Sequence, residues 1–565
     1  MENKMNSRIL FLSRLFVIFG IIIFLRFLYL QIISYESLDN LANKQHLDSE
    51  EITPERGFIY DRKGRELAIS VDVPSVYAIT YQINNKIKTA KELSNILKIS
   101  KDDLLKKFNC GKSFVWIDRK VSFEKGKKIK MLKLKGINII SESKRFYPKD
   151  EMCAHILGFV DIDGKGLEGI EYYLDKFLCG KKGYLNVVKD AKGREIISSN
   201  STYLPSNNGY DVYLTIDEAI QSIVEEELRR VNNEFSPKEA TIIVMKPDSG
   251  EILALANQPS FNPNNFYNFP QQYLKNRAIS LLFEPGSVFK IVTLAGALSE
   301  AITTEDEMIN CENGEWKIYN HKINDHIKYK MLKFEQVIGN SSNIGTAKIG
   351  MRLGNSKLYD YAKLFGFGEK TGIQLVGEVR GILREPKKWS KISVCSISIG
   401  QEVGVTPIQL VSAISVMANK GKLMQPLIVR YIKDRQNNLI KEFKPKEIRQ
   451  VISEDIAKRV MKILKGAVEN GTGKEAKIPG YSAAGKTGTA QKIDPKTKKY
   501  STNKFVASFG GFVPADVPKI VIFISIDEPN KVYWGGSVAA PAFSRIGERV
   551  LRYLEKENYD VVRSY

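Results

Sequence analysis

The sequence predicts a multidomain α+β protein with a single N-terminal transmembrane helix, a mixed α/β domain, and a C-terminal domain in which helices cover an antiparallel sheet. Three observations support this class. The chain has 565 residues, which is too long for one compact core. A long apolar run occupies residues 9–33. After residue 211, strand signals come first, helical signals follow, and strand signals return near the C-terminus, as expected for helices on an antiparallel sheet.

The apolar run at residues 9–33 is long enough to cross a bilayer as one helix. Arg14 and Arg26 lie near its two ends, where long cationic side chains reach the headgroups. Lys4 and Arg8 precede the run, and Glu36 and Asp39 follow it, so residues 1–8 are predicted to stay in the cytoplasm and the chain after about residue 40 to lie outside it. The rival interpretation is a cleaved signal peptide. The run is long for one and no A-x-A-like site follows it, which favours an uncleaved anchor.

Residues 40–205 are predicted to form a separate domain without a catalytic constellation. It opens with two strand-like stretches around a turn at residues 61–64. The turn Asn207-Asn208-Gly209 is the predicted boundary before a domain at residues 211–565.

The signals for strands and helices in the last domain are regular. Residues 241–245 and 251–256 predict a β-hairpin, and residues 505–513 and 519–527 predict two further strands. Helices are predicted from Thr406-Pro407 to residue 419 and from residue 453 to about 469. The polar, lysine-rich residues 492–503 predict a mobile loop at the edge of the site.

Composition excludes several functions. The formal net charge is +21, but the lysines are spread along the chain without a zinc-finger spacing, RNP-like motif or arginine block, so we expect no nucleic-acid binding. The four histidines fall in no G-x-S-x-G or H-E-x-x-H pattern, and we predict no metal site and no cofactor. The cysteines are odd in number and lack metal-type spacing, so we expect buried thiols: Cys110, Cys153, Cys179, Cys311 and Cys395.

The first candidate catalytic motif is the segment Glu-Pro-Gly-Ser-Val-Phe-Lys at residues 284–290. Its proline and glycine break the chain before an apolar, helical run, so Ser287 is predicted to lie at a helix N-terminus. Lys290 follows one turn later, with its amine on the same face as the Ser287 hydroxyl. A lysine can take the proton of a serine if burial and a cationic neighbour lower its pKa. Taken alone, the same pattern is typical of a capped helix with a surface lysine.

Two later motifs favour a catalytic role for Ser287 and Lys290. A Ser-Ser-Asn motif at residues 341–343 precedes a helix-like run at 344–353, and a Lys-Thr-Gly-Thr segment at residues 486–489 follows small residues, as on a strand that another backbone approaches closely. Ser-x-x-Lys, Ser-x-Asn and Lys-Thr-Gly in this order are the set found in penicillin-binding proteins and class A β-lactamases, with Ser342 standing where that set has Asp. Together the motifs predict acyl transfer through Ser287.

With these motifs, the chain resembles a class B penicillin-binding protein, the monofunctional peptidoglycan D,D-transpeptidase family. The resemblance covers nearly the whole chain. It implies a pedestal, or dimerisation, domain at residues 40–205 and a penicillin-binding, serine β-lactamase-like transpeptidase domain at residues 211–565. Besides the anchor and the three motifs, the segments that carry it are Arg56-Gly57 through Leu67-Ala68, Gly166-Leu167-Glu168, Gly400-Gln401 and Thr406-Pro407.

The resemblance assigns catalytic roles to four residues. Ser287 would be the acyl-accepting nucleophile, and Lys290 the group that takes its proton. Ser341 would hydrogen-bond that lysine and relay a proton to the leaving amine. Lys486 would keep Lys290 neutral through its like charge and attract the terminal carboxylate of the substrate.

It assigns the substrate-binding roles to the residues around them. Asn343 would bind the backbone of the donor stem peptide. Thr487 and Thr489, with Gly488 between them, would hold the substrate carboxylate. The backbone N–H groups of Ser287 and Thr489 would form the oxyanion hole.

The resemblance also implies partners and a location. The substrates would be peptidoglycan stem peptides ending in D-Ala-D-Ala, and β-lactams would bind covalently. The chain would be a single-pass protein of the cytoplasmic membrane with its catalytic domain outside, working with a SEDS-type glycosyltransferase and other division proteins. The Ser-Ser-Asn motif and residues 67–70 favour the division-type, FtsI-like branch. An elongation-type or sporulation-type role is the alternative.

Two other classes share the motifs. A β-lactamase would need a group that activates water, yet no Glu-x-x-Leu-Asn segment lies between Asn343 and Lys486, and the predicted pedestal has no place in such an enzyme. A β-lactam sensor would have several spans or a metalloprotease-like segment before the acylated domain. The sequence predicts one span.

Overall fold

The computed structural model describes residues 2–38, 47–189, 195–196, 203–494, 496–497 and 499–563. Contacts divide the chain into two compact units. The first unit consists of Met1–Glu55 and Gly180–Gly209, and the second consists of Arg56–Cys179 and Tyr210–Tyr565. The predicted domain start at residue 40 lies outside the described residues.

The first unit contains the predicted anchor. An α-helix over Glu2–Leu28 continues as a π-helix over Tyr29–Ile33. Within it, Met5–Ile33 is long and apolar enough to cross a membrane. The strands of this unit form an antiparallel sheet in which Gly183–Lys189 is the shared partner of the other three: Leu47–Ile52, Glu195–Ile196 and Tyr203–Leu204.

The second unit begins with a mixed sheet. The predicted turn at residues 61–64 is confirmed, because it joins the antiparallel strands Ile59–Tyr60 and Glu66–Ile79. The other strands of this sheet are Phe114–Asp118, Ile137–Phe146, Asp211–Leu214, Val429–Lys433 and Leu439–Glu442. The helices that follow in this part of the chain are Lys86–Leu97, Lys101–Phe108, Phe123–Met131, Ala154–Leu157, Gly169–Tyr173 and Asp175–Leu178.

A buried carboxylate pairs with two arginines beside this sheet. Glu171 is completely buried, and its two oxygens accept hydrogen bonds from Arg56 Nε at 2.7 Å and Arg145 Nε at 2.6 Å. Burial raises the pKa of Glu171, but the charges of the two guanidinium groups lower it by a larger amount, so that its pKa lies below the ordinary value. The carboxylate therefore stays ionised and compensates both buried cations.

The part of the second unit that carries the three sequence motifs is built on an antiparallel sheet of five strands. Its strand order is Ile252–Gln258, Glu239–Met245, Ile520–Asp527, Tyr500–Val513 and Ala484–Ile493. The hairpin predicted around residues 241–256 and the strands predicted at 505–513 and 519–527 are confirmed. Ile520–Asp527 is buried along its whole length because helices cover both faces of the sheet.

Two of the helices in this part begin where the sequence predicted. Glu218–Phe235 and Gly535–Arg563 pack on one face, and Pro407–Ala418 packs on the other. Thr406 caps Pro407–Ala418 through a reciprocal bond with Gln409, and Ser453 caps Glu454–Glu469, which confirms both predicted starts. The remaining helices of this part are Arg277–Ser280, Lys290–Ser299, Phe334–Gly339, Asn343–Leu353, Asn355–Leu364 and Ser393–Ser398.

Among the described residues, three small two-stranded sheets complete the part that carries the motifs. One of them, the hairpin of Glu315–Ile318 and His321–Asn324, becomes important at the site and is called here the 315–325 hairpin, including Asp325. The other strands are Met308–Asn310 with Met331–Lys333, and Lys422–Met424 with Glu447–Gln450.

Two predictions need correction. Cys153, Cys311 and Cys395 are buried as expected, but Cys110 and Cys179 are exposed, because each lies just after the end of a short helix. The polar loop predicted at residues 492–503 is shorter than expected. Its flanking strands run through Ile493 and resume at Tyr500, and residues 495 and 498 lie outside the described part of the chain.

Candidate active site

Ser287 lies in a tight turn that exposes its side chain to a surface cleft. A 3₁₀ turn over Gly286–Phe289 precedes the helix Lys290–Ser299, so the serine sits one turn earlier than the α-helix proper. Gly286 has a φ of +52°, a conformation that favours glycine. Gly400 packs directly against this turn, since a Cβ at residue 400 would lie 2.0 Å from the Gly286 carbonyl oxygen. The Ser287 side chain is half-buried and faces the cleft.

Lys290 is completely buried and points at the second motif. Its Nζ donates to the Ser341 carbonyl at 2.7 Å, to Asn343 Oδ1 at 2.8 Å, and to Ser341 Oγ at 3.3 Å. Burial lowers the pKa of Lys290 well below its usual range, the charge of Lys486 lowers it further, and Asp325 opposes the shift. Within the part of the chain that the structure describes, no hydrogen bond of the Ser287 hydroxyl is formed. Catalytic hydrogen bonds are often long before the substrate binds.

The second motif begins with a strained residue. Ser341 has a φ of +60°, in the left-handed region that serine rarely adopts. This conformation places both its carbonyl and its hydroxyl within reach of Lys290. Ser342 caps the helix Asn343–Leu353 by accepting from Gly345 N at 3.0 Å.

The third motif lies on the edge strand Ala484–Ile493, beside the Ser287 turn. Lys486 is buried, and burial lowers its pKa to about 7. Gly488 lets this strand lie close to the Ser287 turn and to the next strand, because a Cβ at residue 488 would lie 3.1 Å from the Pro285 carbonyl oxygen and 2.3 Å from Ser508 Oγ. The threonines on either side of Gly488 both line the cleft.

Each of those threonines is fixed by a neighbour that the sequence did not single out. Thr487 Oγ1 lies 2.9 Å from Thr472 Oγ1, so that two hydroxyls meet at one end of the cleft. Thr489 Oγ1 accepts from Gly535 N at 3.0 Å, at the start of the C-terminal helix.

The three motifs line one cleft of about 510 Å³. Its far wall comes from the 315–325 hairpin and the residues just after it, and from the start of the C-terminal helix. There the rings of His326 and Trp534 meet edge to face with their centroids 4.6 Å apart. The structure thus brings together every residue that the sequence predicted for the site. It adds residues that motif spacing could not reveal: Asp325, His326, Thr472 and Trp534.

Two acidic side chains, Glu284 and Glu378, accept hydrogen bonds from groups outside the three motifs. Glu284, three residues before Ser287, accepts from Glu402 N at 2.9 Å and from the Tyr500 hydroxyl at 3.2 Å. Glu378 accepts at 2.6 Å from both the amide and the hydroxyl of Thr371. Among the described residues, there is no group of three or more His, Cys, Asp or Glu side chains placed to hold a metal ion.

Comparison with known proteins decides the family. Residues 240–548, more than half of the chain, match the family described as the penicillin binding protein transpeptidase domain. Residues 51–214 match the penicillin-binding protein dimerisation domain. The chain belongs to the penicillin-binding proteins. The combination of these two domains confirms the predicted resemblance to the class B members, and the protein is an enzyme, a transpeptidase.

Relatives within the penicillin-binding proteins extend over almost the whole sequence. Stage V sporulation protein D of Bacillus subtilis is 37% identical over 559 residues, which are 96% of this chain and 85% of that protein. Peptidoglycan D,D-transpeptidase FtsI of Escherichia coli is 33% identical over 541 residues, which are 94% of this chain and 89% of that protein.

Solved structures show the same fold. A peptidoglycan synthetase from Bifidobacterium adolescentis matches with a TM-score of 0.73 and 26% identity, covering 90% of this chain and 97% of that one. Penicillin binding protein 3 of Mycobacterium tuberculosis, complexed with aztreonam, matches with a TM-score of 0.70 and the same identity and coverage. The predicted α+β architecture, with a transpeptidase domain of the penicillin-binding type, is confirmed.

Proposed function

We propose that this chain is a membrane-anchored peptidoglycan D,D-transpeptidase that cross-links stem peptides ending in D-Ala-D-Ala through an acyl-enzyme on Ser287. β-Lactams would acylate the same serine. The observation that carries the proposal is the burial of Lys290 next to Ser287, with its amine directed at Ser341 and Asn343 and its pKa lowered.

In the acylation step, the neutral amine of Lys290 takes the proton of Ser287 while Ser287 Oγ attacks the carbonyl carbon of the penultimate D-Ala. The carbonyl oxygen becomes an oxyanion and is stabilised by the backbone N–H groups of Ser287 and Thr489, each worth about 3–4 kcal/mol in comparable sites. The peptide bond then breaks, and Ser341 relays the proton from Lys290 to the departing amine of the terminal D-Ala. The hydrogen bond from Lys290 Nζ to Ser341 Oγ, at 3.3 Å, supports this relay.

The carboxylate of the terminal D-Ala would bind at the other end of the cleft. Thr487 and Thr489 offer hydroxyls to it across Gly488, and Lys486 contributes positive charge below its pKa of about 7. Asn343 would hold the donor backbone. Its side chain is already oriented, because Oδ1 accepts from Lys290 and Nδ2 donates to the Asn324 carbonyl at 2.9 Å.

In the second step, the amine of a neighbouring stem peptide attacks the acyl-enzyme. Lys290 again accepts a proton, this time from the incoming amine, and Ser287 leaves as its hydroxyl. A new peptide bond replaces the ester, so the net reaction exchanges one amide for another and needs no metal or cofactor.

The same proposal covers topology and partners. The helix within Met5–Ile33 would hold the chain in the cytoplasmic membrane, with residues 1–8 inside and the catalytic part outside. Residues 40–205 would act as the pedestal and residues 211–565 as the transpeptidase domain. A SEDS-type glycosyltransferase and other division proteins would be partners in the membrane. Replacing residues 9–33 by an unrelated single span tests whether the helix itself binds them, because unchanged complex formation and activity would reject a specific role.

Two cellular roles have support. The Ser-Ser-Asn motif and the similarity to FtsI favour septal wall synthesis during division. The similarity to stage V sporulation protein D favours a sporulation-specific role as a second candidate. Depletion of the protein separates them, since filamentation of growing cells is expected for the first role and loss of heat-resistant spores with normal growth for the second.

The enzymatic proposal is tested with the purified full-length chain in detergent. We expect it to release D-Ala from a stem-peptide donor and to form the cross-linked peptide when an acceptor amine is added, both detected by mass spectrometry. Ser287→Ala should abolish both reactions. The matched control, Ser280→Ala, removes a hydroxyl that bonds the Asn276 carbonyl outside the cleft and should leave both unchanged. Turnover by the Ser287→Ala variant would overturn the proposal.

A further inference from the structure

We propose that Asp325 is a positioning residue for acylation: the 315–325 hairpin supplies a carboxylate that fixes the second motif against Lys290. The second motif itself carries no acid, because Ser342 occupies its middle position. This inference rests on the proposed role of Lys290 and assigns a further residue to the same reaction.

The contacts of Asp325 are directed at the start of one helix. Its Oδ1 accepts from Asn343 N at 2.5 Å and from Ile344 N at 3.0 Å, and its Oδ2 accepts from Ser342 Oγ at 2.6 Å. The first amides of a helix have no partner within the helix, and the N-terminal end of its dipole favours a negative charge. Asp325 therefore caps the helix Asn343–Leu353 from a different segment of the chain.

The contacts of Asp325 also orient the groups that bond Lys290. Asn343 is held by its backbone at Asp325 and by its side-chain Nδ2 at the Asn324 carbonyl, 2.9 Å away. With both ends fixed, its Oδ1 is directed at Lys290 Nζ, at 2.8 Å. Ser341, immediately before the capped turn, keeps its strained φ of +60° and offers its carbonyl to the same amine.

The hairpin is itself secured to this helix one turn further on. Lys348 donates to the Asn310 carbonyl at 2.9 Å and pairs with Glu312 at 2.5 Å. Its ammonium also lies 5.2 Å from the centre of the Trp316 ring, on the first strand of the hairpin. The contacts with Asn310 and Glu312 hold the segment just before the hairpin, and the contact with Trp316 holds the hairpin itself, without involving the second motif.

Asp325 also affects Lys290 through its charge. Its carboxylate raises the pKa of Lys290, against the lowering by burial and by Lys486. His326 faces the same region, and its own pKa is lowered by burial and by the charge of Lys290. The other charged groups on the walls of the cleft are Lys474 and Glu475.

Asp325 thus positions the second motif and also raises the pKa of Lys290, and the substitution Asp325→Asn should affect each role differently. In Asp325→Asn the amide keeps one acceptor but places a donor against the helix amides, so the second motif shifts and the plateau rate of acylation falls. A displacement of about 1 Å near reacting groups costs about 100-fold. Loss of the negative charge lowers the pKa of Lys290, so its amine is neutral at lower pH. In a plot of acylation rate against pH, the acid limb is the range where the rate falls as Lys290 becomes protonated. This limb therefore moves to lower pH, while the plateau rate above it falls.

The experiment measures the second-order rate of acylation by a fluorescent penicillin between pH 5 and 9, using the full-length chain in detergent. We expect Asp325→Asn to lower the plateau about 100-fold and to move the acid limb to lower pH. Asp325→Glu keeps the charge but lengthens the side chain, so its plateau should fall while its acid limb stays at the wild-type pH. The matched control is Asp306→Asn, which changes an exposed acid bonded to Lys333 and should alter neither.

Several results would overturn the inference. A plateau within twofold of wild type in Asp325→Asn, or a lower plateau with an unmoved acid limb, would reduce Asp325 to a structural cap. If Asp325→Asn fails to fold, a wild-type plateau rate in Asp325→Glu would be enough to reject the positioning role of Asp325. A changed dependence of the acylation rate on pH in Asp306→Asn would also reject it. A wild-type chain that is not labelled on Ser287 would overturn the proposed function, and this inference with it.

Discussion

The amine of Lys290 lies 2.7 Å from the carbonyl oxygen of Ser341, a residue 51 positions later in the chain. The contact joins the first and second motifs at a completely buried nitrogen. A buried ammonium is costly, so the pKa of Lys290 falls well below its usual range and the neutral amine becomes available as a base.

Removing the charge of Lys486 should move acylation to higher pH. In Lys486→Gln, the pKa of Lys290 is lowered by burial but no longer by a neighbouring cation, so it rises, and the amine becomes neutral only at higher pH. Because the pKa of Lys486 is about 7, its charge acts mainly below that pH. Penicillin labelling across pH 5 to 9 should show the acid limb displaced upward, opposite to Asp325→Asn. The control Lys492→Gln, on the same strand but paired with Asp527, should leave the limb in place.

A methyl group at residue 488 should separate the third motif from the nucleophile. In Gly488→Ala the new Cβ would lie 2.3 Å from Ser508 Oγ, 2.9 Å from Val288 Cγ2 and 3.1 Å from the Pro285 carbonyl oxygen, so the strand and the Ser287 turn can no longer approach as closely. We expect acylation to fall by about 100-fold in a protein that remains folded. Gly466→Ala adds the same methyl within the helix Glu454–Glu469, where no atom lies within 4 Å of the new Cβ. That control should acylate normally and be more stable by about 0.5–1 kcal/mol. Equal acylation in both variants would contradict the close approach at Gly488.

Glu171 should control stability without contributing to chemistry. Glu171→Gln leaves the buried guanidinium of Arg145 without its carboxylate partner, and leaves Arg56 paired with Asp175 alone, which costs about 3–5 kcal/mol. Since the folded state lowers the pKa of Glu171, its contribution is complete above the unfolded value near pH 4.3 and is lost as pH falls through the lower folded value. Urea unfolding at pH 7 and below pH 4 measures both effects. Glu226→Gln, which breaks an exposed pair with Arg549, should change little.

Sequence reasoning succeeded where the signal was local. The caps Thr406 and Ser453, the turn at residues 61–64 and the paired strands of the five-stranded sheet all depend on residues close together in the chain, and all are confirmed. The motif spacings also identified side chains that converge on one cleft.

Sequence reasoning missed features that depend on distant segments. Asp325 is separated from Ser342 by 17 positions and is aligned with it only because the hairpin folds back onto the helix. Trp534 reaches the cleft from the far end of the chain. The 3₁₀ turn at Ser287 was also missed, because helical periodicity does not distinguish the first turn of an α-helix from a 3₁₀ turn that leads into it.

The acyl-enzyme formed with a β-lactam should be long-lived. Fast hydrolysis needs a second base that holds a water near the ester. Glu378, in the loop of residues 378–385, accepts hydrogen bonds from the amide and the hydroxyl of Thr371. We expect release of penicillin on the order of 10⁻³ s⁻¹ or slower, which corresponds to a barrier of about 21–22 kcal/mol or more. Loss of fluorescence from the labelled protein measures it. Glu378→Gln should leave the rate unchanged, whereas release at roughly 1 s⁻¹ would indicate a β-lactamase.

The central claim is that Ser287 carries the acyl group, and peptide mapping of the penicillin adduct tests it most directly. The full-length chain is incubated with penicillin and digested, and the modified peptide is sequenced by mass spectrometry. The account predicts one equivalent per chain, attached to the peptide that contains residues 284–290, and no adduct in Ser287→Ala. An adduct on any other serine, or labelling that persists in Ser287→Ala, would contradict it.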